Sequence, residues 1–376
     1  MDAPSFLFIA YGFLTSLVFV LGMLLAFMPY LMRRQECFAV TIPAAAALDP
    51  YLRQLKRRFA LIMGALTLVL FAIALLLLAT GADTEWDGLD WLIPSADAVL
   101  LVAYYLLMLF FRRKVQAYKQ EQGWSAASQR SSAIIGSEAV SQISLRWNLL
   151  YLLVMVATLI AGILCYPAMP AMIPMHIGFD GVVSDWMPKG PAVIAFPMVI
   201  EGFMGACFTL CHWSINRARK WSDPNAPATS ALAYGLYARA WNIYLLAFGL
   251  LLSASIGTLF LLSALGIASL AVMGAVLFFI IIFMVAGAIG LSIVYGQAGS
   301  RVFKRMHAPK GMPEDDDEHW KGGIIYFNPD DASLFLPERF GIGWTLNWAR
   351  PAAWALVVGF IILTAGFVGT IFILVG

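Results

Sequence analysis

The chain has 376 residues, of which 61% are apolar and only 12% are charged, and its formal net charge is +2. Soluble domains are about 45–50% apolar and about 25% charged, so lipid must cover part of this surface. The composition therefore excludes an ordinary soluble protein, and the basic residues form no face that would predict nucleic-acid binding.

Eight apolar stretches are long enough to cross a bilayer as helices, since a hydrocarbon core of about 30 Å needs about 20 residues. The first stretch has no basic residue before it and no small-residue cleavage site, so we interpret it as a retained span rather than a signal peptide. The sequence thus predicts an all-α polytopic membrane protein whose partner is the lipid bilayer. The predicted spans are 6–32, 59–81, 94–111, 147–167, 191–213, 240–265, 268–295 and 352–375.

The basic residues are sorted to one side of these spans. Of the 24 Lys and Arg residues, all but Lys189 fall on the side that the positive-inside rule makes cytoplasmic. Eight spans then place both termini outside. The chain divides into a three-span region (1–146), a two-span unit with an outer loop at 168–190 (147–213), spans six and seven (214–297), a small cytoplasmic module (298–351) and a last span (352–376).

The outer loop carries the most unusual group of polar residues. Prolines at 167, 170 and 174 prevent a regular helix, and an imidazole, two carboxylates and an ammonium group follow. These groups could bind an ion or a peptide, or they could cap the ends of spans four and five in a structured turn. No nucleophile, base and orienting group occur together, so no enzyme activity is predicted. The candidate ligand-binding residues are His176, Asp180, Asp185 and Lys189.

Glu201 is an acidic residue inside the fifth predicted span. It lies about ten residues from the outer boundary, which corresponds to a depth of about 15 Å at 1.5 Å per residue. An ionised carboxylate is costly at that depth. Two interpretations stay open: part of an ion or proton path, or a protonated side chain hydrogen-bonded to a neighbouring helix.

The segment 320–351 is aromatic and rich in glycine and differs from its surroundings. Residues 324–327 are strand-like, 328–331 form a strong turn signal, and 334–336 could return as the second strand of a hairpin. Asn328, Asp330 and Asp331 could ligate a cation or simply form the turn. The four cysteines give no disulfide framework, and ordinary helix packing explains Cys207, Cys211 and His212 better than a metal site does. No cofactor and no metal are predicted.

Two motifs resemble known families. The segment 173–189 resembles the signature of domain-of-unknown-function family 1648, which reads Ile-Pro, a variable residue, His-Phe-Asn, and later Gly, Asp and Lys. An Ile-Gly pair after the histidine displaces the Phe and Asp of that pattern. This domain also occurs in SdpI, a bacterial immunity protein against a secreted toxin. The matching positions are His176, Gly181, Asp185 and Lys189.

The segment 320–351 is similar to family 5808, a second uncharacterised bacterial domain that often accompanies the first. The match includes Tyr-Phe-Asn-Pro-Asp-Asp at 326–331 and a Gly-x-Gly-Trp-Thr-x-Asn run at 341–347. The two resemblances imply a bacterial plasma-membrane protein without established enzyme activity. The module residues singled out by this similarity and by the turn are Tyr326, Asn328, Asp330, Asp331, Arg339, Trp344 and Asn347.

The two distinctive motifs are predicted on opposite faces of the membrane. The leading hypothesis is therefore a sensor or immunity-type protein that meets an extracytoplasmic peptide or toxin and signals to a cytoplasmic regulator. The alternative is an ion-coupled transporter or permease, motivated by Glu201 and the eight spans, although no inverted repeat is evident.

Overall fold

The structure of the protein is a computed structural model. It describes residues 3–33, 35–80, 88–125, 140, 142–177, 183–220, 223, 226–306, 312, 315–340 and 343–375, and of 3–10 and 88–90 it describes only the helical backbone.

Eight long helices in the described part of the chain are apolar enough to cross a membrane, which confirms the predicted fold class. In the same described residues, a ninth, short helix follows the seventh span. In chain order the helices are α1 (Ala3–Leu31), α2 (Pro50–Thr80), α3 (Gly88–Glu121), α4 (Leu150–Cys165), α5 (Pro191–Arg217), α6 (Pro227–Ala264), α7 (Leu270–Tyr295), α8 (Ser300–Met306) and α9 (Pro351–Val375).

Three helices continue well beyond the predicted spans. α2 begins at Pro50, where the Asp49 carboxylate caps the helix by accepting the N–H groups of Tyr51 and Leu52 at 2.8 and 3.2 Å. α3 and α6 likewise include polar turns that hydropathy assigned to connectors. In α6 these turns are buried, and the Tyr234 hydroxyl donates to the Ile215 carbonyl at 2.5 Å. Tertiary packing therefore lets these helices continue past the ends of their apolar stretches.

The spanning helices form two packed groups. α1, α2 and α3 contact one another, whereas α4, α5 and α6 form a second core, with α7 packed on α6 and α9 on α5. Close approach in the second core depends on glycine: a β-carbon at Gly162 would lie 2.9 Å from Ile194, and one at Gly205 would lie 3.1 Å from Tyr151. Small side chains let the α4, α5 and α6 backbones approach closely.

The loop predicted at 168–190 contains a β-hairpin. β3 (Met172–Ile177) pairs antiparallel with β4 (Val183–Pro188), and the register places His176 opposite Asp185. We call this element the outer hairpin, and we call the end of the helices where it lies the hairpin end.

The opposite end of the helices, the module end, carries residues 315–340 and 343–350. The predicted pairing of 324–327 with 334–336 is wrong, because each strand pairs with a different partner. A tight turn with positive φ at Gly322 (58°) and Gly323 (79°) lets the first strand pair locally. In the module, β5 (Trp320–Lys321) pairs with β6 (Ile325–Tyr326), and β7 (Phe335–Pro337) pairs with β8 (Trp344–Leu346). Early in the chain, β1 (Glu36–Cys37) pairs with β2 (Val40–Thr41).

Candidate functional site

One face of the outer hairpin is buried on the helix ends. Ile173 of β3 and Met187 of β4 are almost fully buried, and they form one apolar cluster with Val193 of α5 and with Phe260 and Leu261 of α6. β3 also contacts α7. The hairpin is therefore docked on the second helix group by its apolar face.

The other face of the hairpin presents an exposed histidine–aspartate pair. His176 Nδ1 lies 3.4 Å from Asp185 Oδ2, and 64% and 66% of the two side-chain surfaces are exposed. A polar side-chain pair this exposed contributes little to stability. Both groups are therefore available for a ligand. The third candidate, Asp180, lies outside the described residues.

Lys189 does not join this pair. Its Nζ donates to the carbonyls of Met169 and Pro167 at 2.8 and 3.3 Å and lies 4.9 Å from the Tyr166 ring centroid. Its backbone N–H donates to the Ala171 carbonyl at 2.8 Å. Lys189 thus ties the end of β4 to the turn that follows α4, which is the capping role considered for this loop.

Glu201 is fully buried between three helices. The Thr158 hydroxyl of α4 donates to Glu201 Oε1 at 2.6 Å, and on α6 a β-carbon at Gly257 would overlap that same oxygen. The hydrogen bond to a neighbouring helix is therefore present. Glu201 Oε2 has no hydrogen-bond partner among the described residues.

Asn347 organises the turn of the module. Its fully buried amide donates to the carbonyls of Asn328 and Asp331 at 2.8 and 2.9 Å, and its oxygen accepts the Asn328 N–H at 3.1 Å. The Asn328 side chain accepts the Asp330 N–H at 2.9 Å, and Asp331 accepts the Ser333 N–H at the same distance. These side chains are used as turn formers. In the described ranges, no three His, Cys, Asp or Glu side chains are grouped to hold a metal ion.

A buried ionic cluster surrounds Arg339, and we call it the Arg339 cluster. The guanidinium binds the carboxylates of Asp316 and Asp317, donates to the Thr41 hydroxyl at 3.1 Å and lies 4.9 Å from the Trp320 ring. Lys119 of α3 completes the cluster by binding Asp317 at 2.7 Å and Asp315 at 2.6 Å. Burial raises the pKa of Asp317, but the charges of Arg339 and Lys119 more than offset this and lower the pKa to about 2.

Arg219, two residues beyond α5, joins the second helix group to the module. Its guanidinium lies 3.1 Å from Asp331 and 3.3 Å from Asp316, and its backbone N–H donates to the Phe335 carbonyl at 2.8 Å. The Tyr326 hydroxyl donates to Asp331 at 3.0 Å, and burial raises the pKa of Tyr326 to about 12. The last candidate, Trp344, packs edge-on against the tyrosine rings of α6.

Sequence reasoning missed most of the Arg339 cluster. The acidic run at 314–318 and the basic residues near 112 and 219 were visible in the sequence, but the basic residues indicated only the side of the membrane on which each loop lies. Thr41 and Arg339 are separated by 298 positions, so local pattern could not pair them. An isolated acidic run beside a basic juxtamembrane helix is the one signal that could have suggested it.

These observations define the class of multi-pass membrane protein: the described residues contain eight helices long and apolar enough to span a membrane, a docked β-hairpin at one end and an ionically bound module at the other. Residues 153–200 match the family described as "Domain of unknown function (DUF1648)", and residues 329–354 match the "Family of unknown function (DUF5808)". Both predicted resemblances are thereby confirmed. Comparisons with curated proteins and with solved structures find no match.

The first matched segment contains most of α4, the outer hairpin and the first ten residues of α5. The second contains residues 329–331 of the Asn347-organised turn, both strands β7 and β8 and the first turn of α9. Each matched segment therefore contains one of the four strand pairs in the described part of the chain, β3–β4 in the first and β7–β8 in the second.

Proposed function

We propose that the protein is a sensor or immunity-type protein of a bacterial plasma membrane, with a binding rather than a catalytic role. In this proposal the exposed face of the outer hairpin binds an extracytoplasmic peptide or toxin, and the module transmits the signal to a cytoplasmic regulator. The observation that carries the proposal is the single helix α5, which begins directly after the hairpin and ends at the module.

The His176–Asp185 pair suits recognition of a peptide. An imidazole and a carboxylate side by side offer a donor and several acceptors, and both groups are exposed. The neighbouring Trp186 is half-exposed and adds an apolar surface with an N–H donor. A docked hairpin holds these groups in place without using them for its own packing.

A physical connection runs from this pair to the module. β4 continues through Lys189 and Gly190 into α5, and Arg219 at the other end of the helix binds Asp316 and Asp331. Energetic coupling between distant sites requires such packed and hydrogen-bonded elements. A ligand that shifts the docked hairpin would therefore shift the helix that holds the module.

A deletion strain complemented with variants tests the proposal. Growth is measured during exposure to secreted peptides and envelope toxins, with membrane levels of each variant checked by immunoblot. The test variant is His176→Ala combined with Asp185→Ala, and Lys189 stays intact because it ties β4 to the turn. The matched control is Ser184→Ala, an exposed position on the same strand.

We expect wild type and the Ser184→Ala control to restore resistance and the double variant to fail at normal membrane levels. Equal rescue by all three proteins would show that the His176–Asp185 pair does not carry the function.

The second candidate function is an ion-coupled permease. It is supported by Glu201, which is fully buried within α5 and has one oxygen without a described partner. Gradient-driven substrate flux into proteoliposomes, lost in Glu201→Gln, is the expected result. Identical flux in that variant would remove this candidate.

A further inference from the structure

Buried polar groups lie one after another along the core of α4, α5 and α6, starting at Glu201, and we call this row of groups the polar file. At the first level Glu201 contacts Thr158 and Gly257. One turn of α6 nearer the module end lies Ser253, which is fully buried and whose hydroxyl has no partner in the described part of the chain. Because Ser253 and Gly257 are four residues apart, they lie on one face of α6.

The next level toward the module end is formed by Tyr151. Its ring contacts Gly205 of α5, and a β-carbon at Gly249 of α6 would overlap its hydroxyl oxygen. This hydroxyl is also buried without a partner among the residues described. Tyr151 precedes Thr158 by seven residues (158 − 151), or about 10 Å along α4.

The file ends in a group of side-chain amides around His212. The Nε2 of His212 lies 3.0 Å from the Ile143 carbonyl, so this nitrogen carries the hydrogen, and Nδ1 lies 3.2 Å from the Asn148 amide. The Asn216 amide donates to the same carbonyl at 3.3 Å, and Asn242 donates to Asn216 at 2.7 Å. From Glu201 to Asn216, α5 advances 15 residues (216 − 201), or about 22 Å.

The opposite direction from Glu201 is lined mainly by apolar side chains. Between Glu201 and the hairpin end lie Val193, Phe196, Phe260 and Leu261, which pack together beneath the outer hairpin. Ser263, which lies six residues beyond Gly257 on α6, is a buried hydroxyl on that side. The polar file therefore connects Glu201 to the module end and not to the hairpin end.

No described charge compensates an ionised Glu201. α4 and α9, which pack on α5, contain no Asp, Glu, Lys, Arg or His, and the one such residue of α6 is Arg239, 18 residues (257 − 239) or about 27 Å from Gly257. On α5 the other titratable groups are Cys207, Cys211, His212 and the terminal Arg217. Tyr151 is the titratable group that faces the file from α4.

We propose that Glu201 is a proton-binding site and that this file conducts protons between its carboxyl group and the module end. The proton is held at Oε2, while Thr158 donates to Oε1. Buried polar groups without protein partners are normally satisfied by water, and Ser253 and Tyr151 supply the polar lining that bridging water needs. The site goes beyond the proposed sensor role and does not depend on the His176–Asp185 pair.

Infrared spectroscopy of the full-length protein in lipid nanodiscs tests the site. A protonated carboxylic acid has a C=O stretch that disappears on ionisation and shifts on deuteration. We expect wild type to show such a band and Glu201→Gln to lack it. Retention of every carboxylic acid band in Glu201→Gln would overturn the proton site.

The rate at which this band shifts after transfer to D₂O tests the path. We expect Ser253→Ala and Tyr151→Phe to slow the shift roughly tenfold, as a barrier increase of about 1.4 kcal/mol would do. Ser263→Ala is the matched control, since it removes a buried hydroxyl of the same helix on the other side of Glu201, and its rate should equal that of wild type. Helical circular dichroism confirms that each variant is folded.

If Ser263→Ala slows exchange and Ser253→Ala does not, the path leads to the hairpin end and the proposed direction is wrong. Unchanged rates in Ser253→Ala and Tyr151→Phe would show that this file does not carry the proton.

Discussion

At the scale of single residues, Asn347 shows how one side chain can fix a turn. It satisfies three backbone groups of the 328–331 segment, and all three would lose their partner in Asn347→Ala. A buried unsatisfied backbone group costs about 1–3 kcal/mol. We therefore expect at least about 2 kcal/mol of destabilisation, measured as faster proteolysis of the module in the purified protein.

The control for this variant is Asp330→Ala. The Asp330 side chain is exposed, and the described hydrogen bond of this residue uses its backbone N–H, so the variant should stay within about 0.5 kcal/mol of wild type. Equal sensitivity of the two variants to protease would contradict the assigned role of Asn347.

Asp317 makes the stability of the protein depend on pH. Its pKa is about 2 in the folded protein, against about 3.9 for an unperturbed aspartate, so its contribution is complete above about pH 4 and is lost as the pH falls toward 2. We expect Asp317→Asn to lower the unfolding free energy by about 2 kcal/mol at neutral pH. Thermal unfolding in detergent should show this difference shrinking between about pH 4 and pH 2.

The exposed Asp330→Asn provides the control for loss of one surface carboxylate, and its unfolding free energy at neutral pH should stay within about 0.5 kcal/mol of wild type. The difference in unfolding free energy between wild type and Asp317→Asn could also stay the same at pH 2. That result would show that the ionised Asp317 is not what stabilises the cluster.

At the scale of elements, the outer hairpin depends on its buried face. Ile173 is fully buried on the helix ends, whereas the adjacent Met172 is half-exposed. Truncating a buried Ile to Ala costs about 2–5 kcal/mol. We expect Ile173→Ala to raise amide hydrogen exchange in β3 and β4, and Met172→Ala to change it little. Equal exchange in both variants would mean that the hairpin is not held by this face.

The sequence predicted the long helices well because apolar length is a local property. It could not predict the outer hairpin, whose strands are short and contain Pro174 and Pro188, residues that oppose regular pairing. The module strands were assigned the wrong partners for a related reason. Asn347, rather than the intervening turn alone, fixes their arrangement, and that contact joins residues 19 positions apart.

Of the candidate site residues, the exposed pair and Glu201 were visible in the sequence as polar groups in unusual places. The functions of Lys189 and Arg339 were not, because each depends on partners that only the fold brings near. Sequence pattern identifies an unusual residue more readily than it identifies what the residue contacts.

At the scale of the whole molecule, Arg219 makes an ionic contact between the segment that follows α5 and the module. Arg217, on the exposed side of the helix end, provides a matched control. Because the Arg219 side chain is 30% exposed, we expect Arg219→Ala to weaken the contact by only about 1–2 kcal/mol. Hydrogen exchange should rise in 315–337 and stay unchanged in the outer hairpin, whereas Arg217→Ala should alter neither. If hydrogen exchange in the module rises in both variants, the cause is the general loss of positive charge and not the specific contact of Arg219.

The Arg339 cluster also has a consequence for biogenesis. Thr41 and Lys119 belong to the first third of the chain, yet their carboxylate partner is Asp317 and the guanidinium beside it is Arg339. The α1–α3 bundle therefore leaves the ribosome before its ionic partner is made, since Asp317 follows Lys119 by 198 positions and Thr41 by 276. Until the module is synthesised, the module end of this bundle is exposed to membrane proteases. A chain truncated before residue 315 should be degraded even though its first three spans are intact.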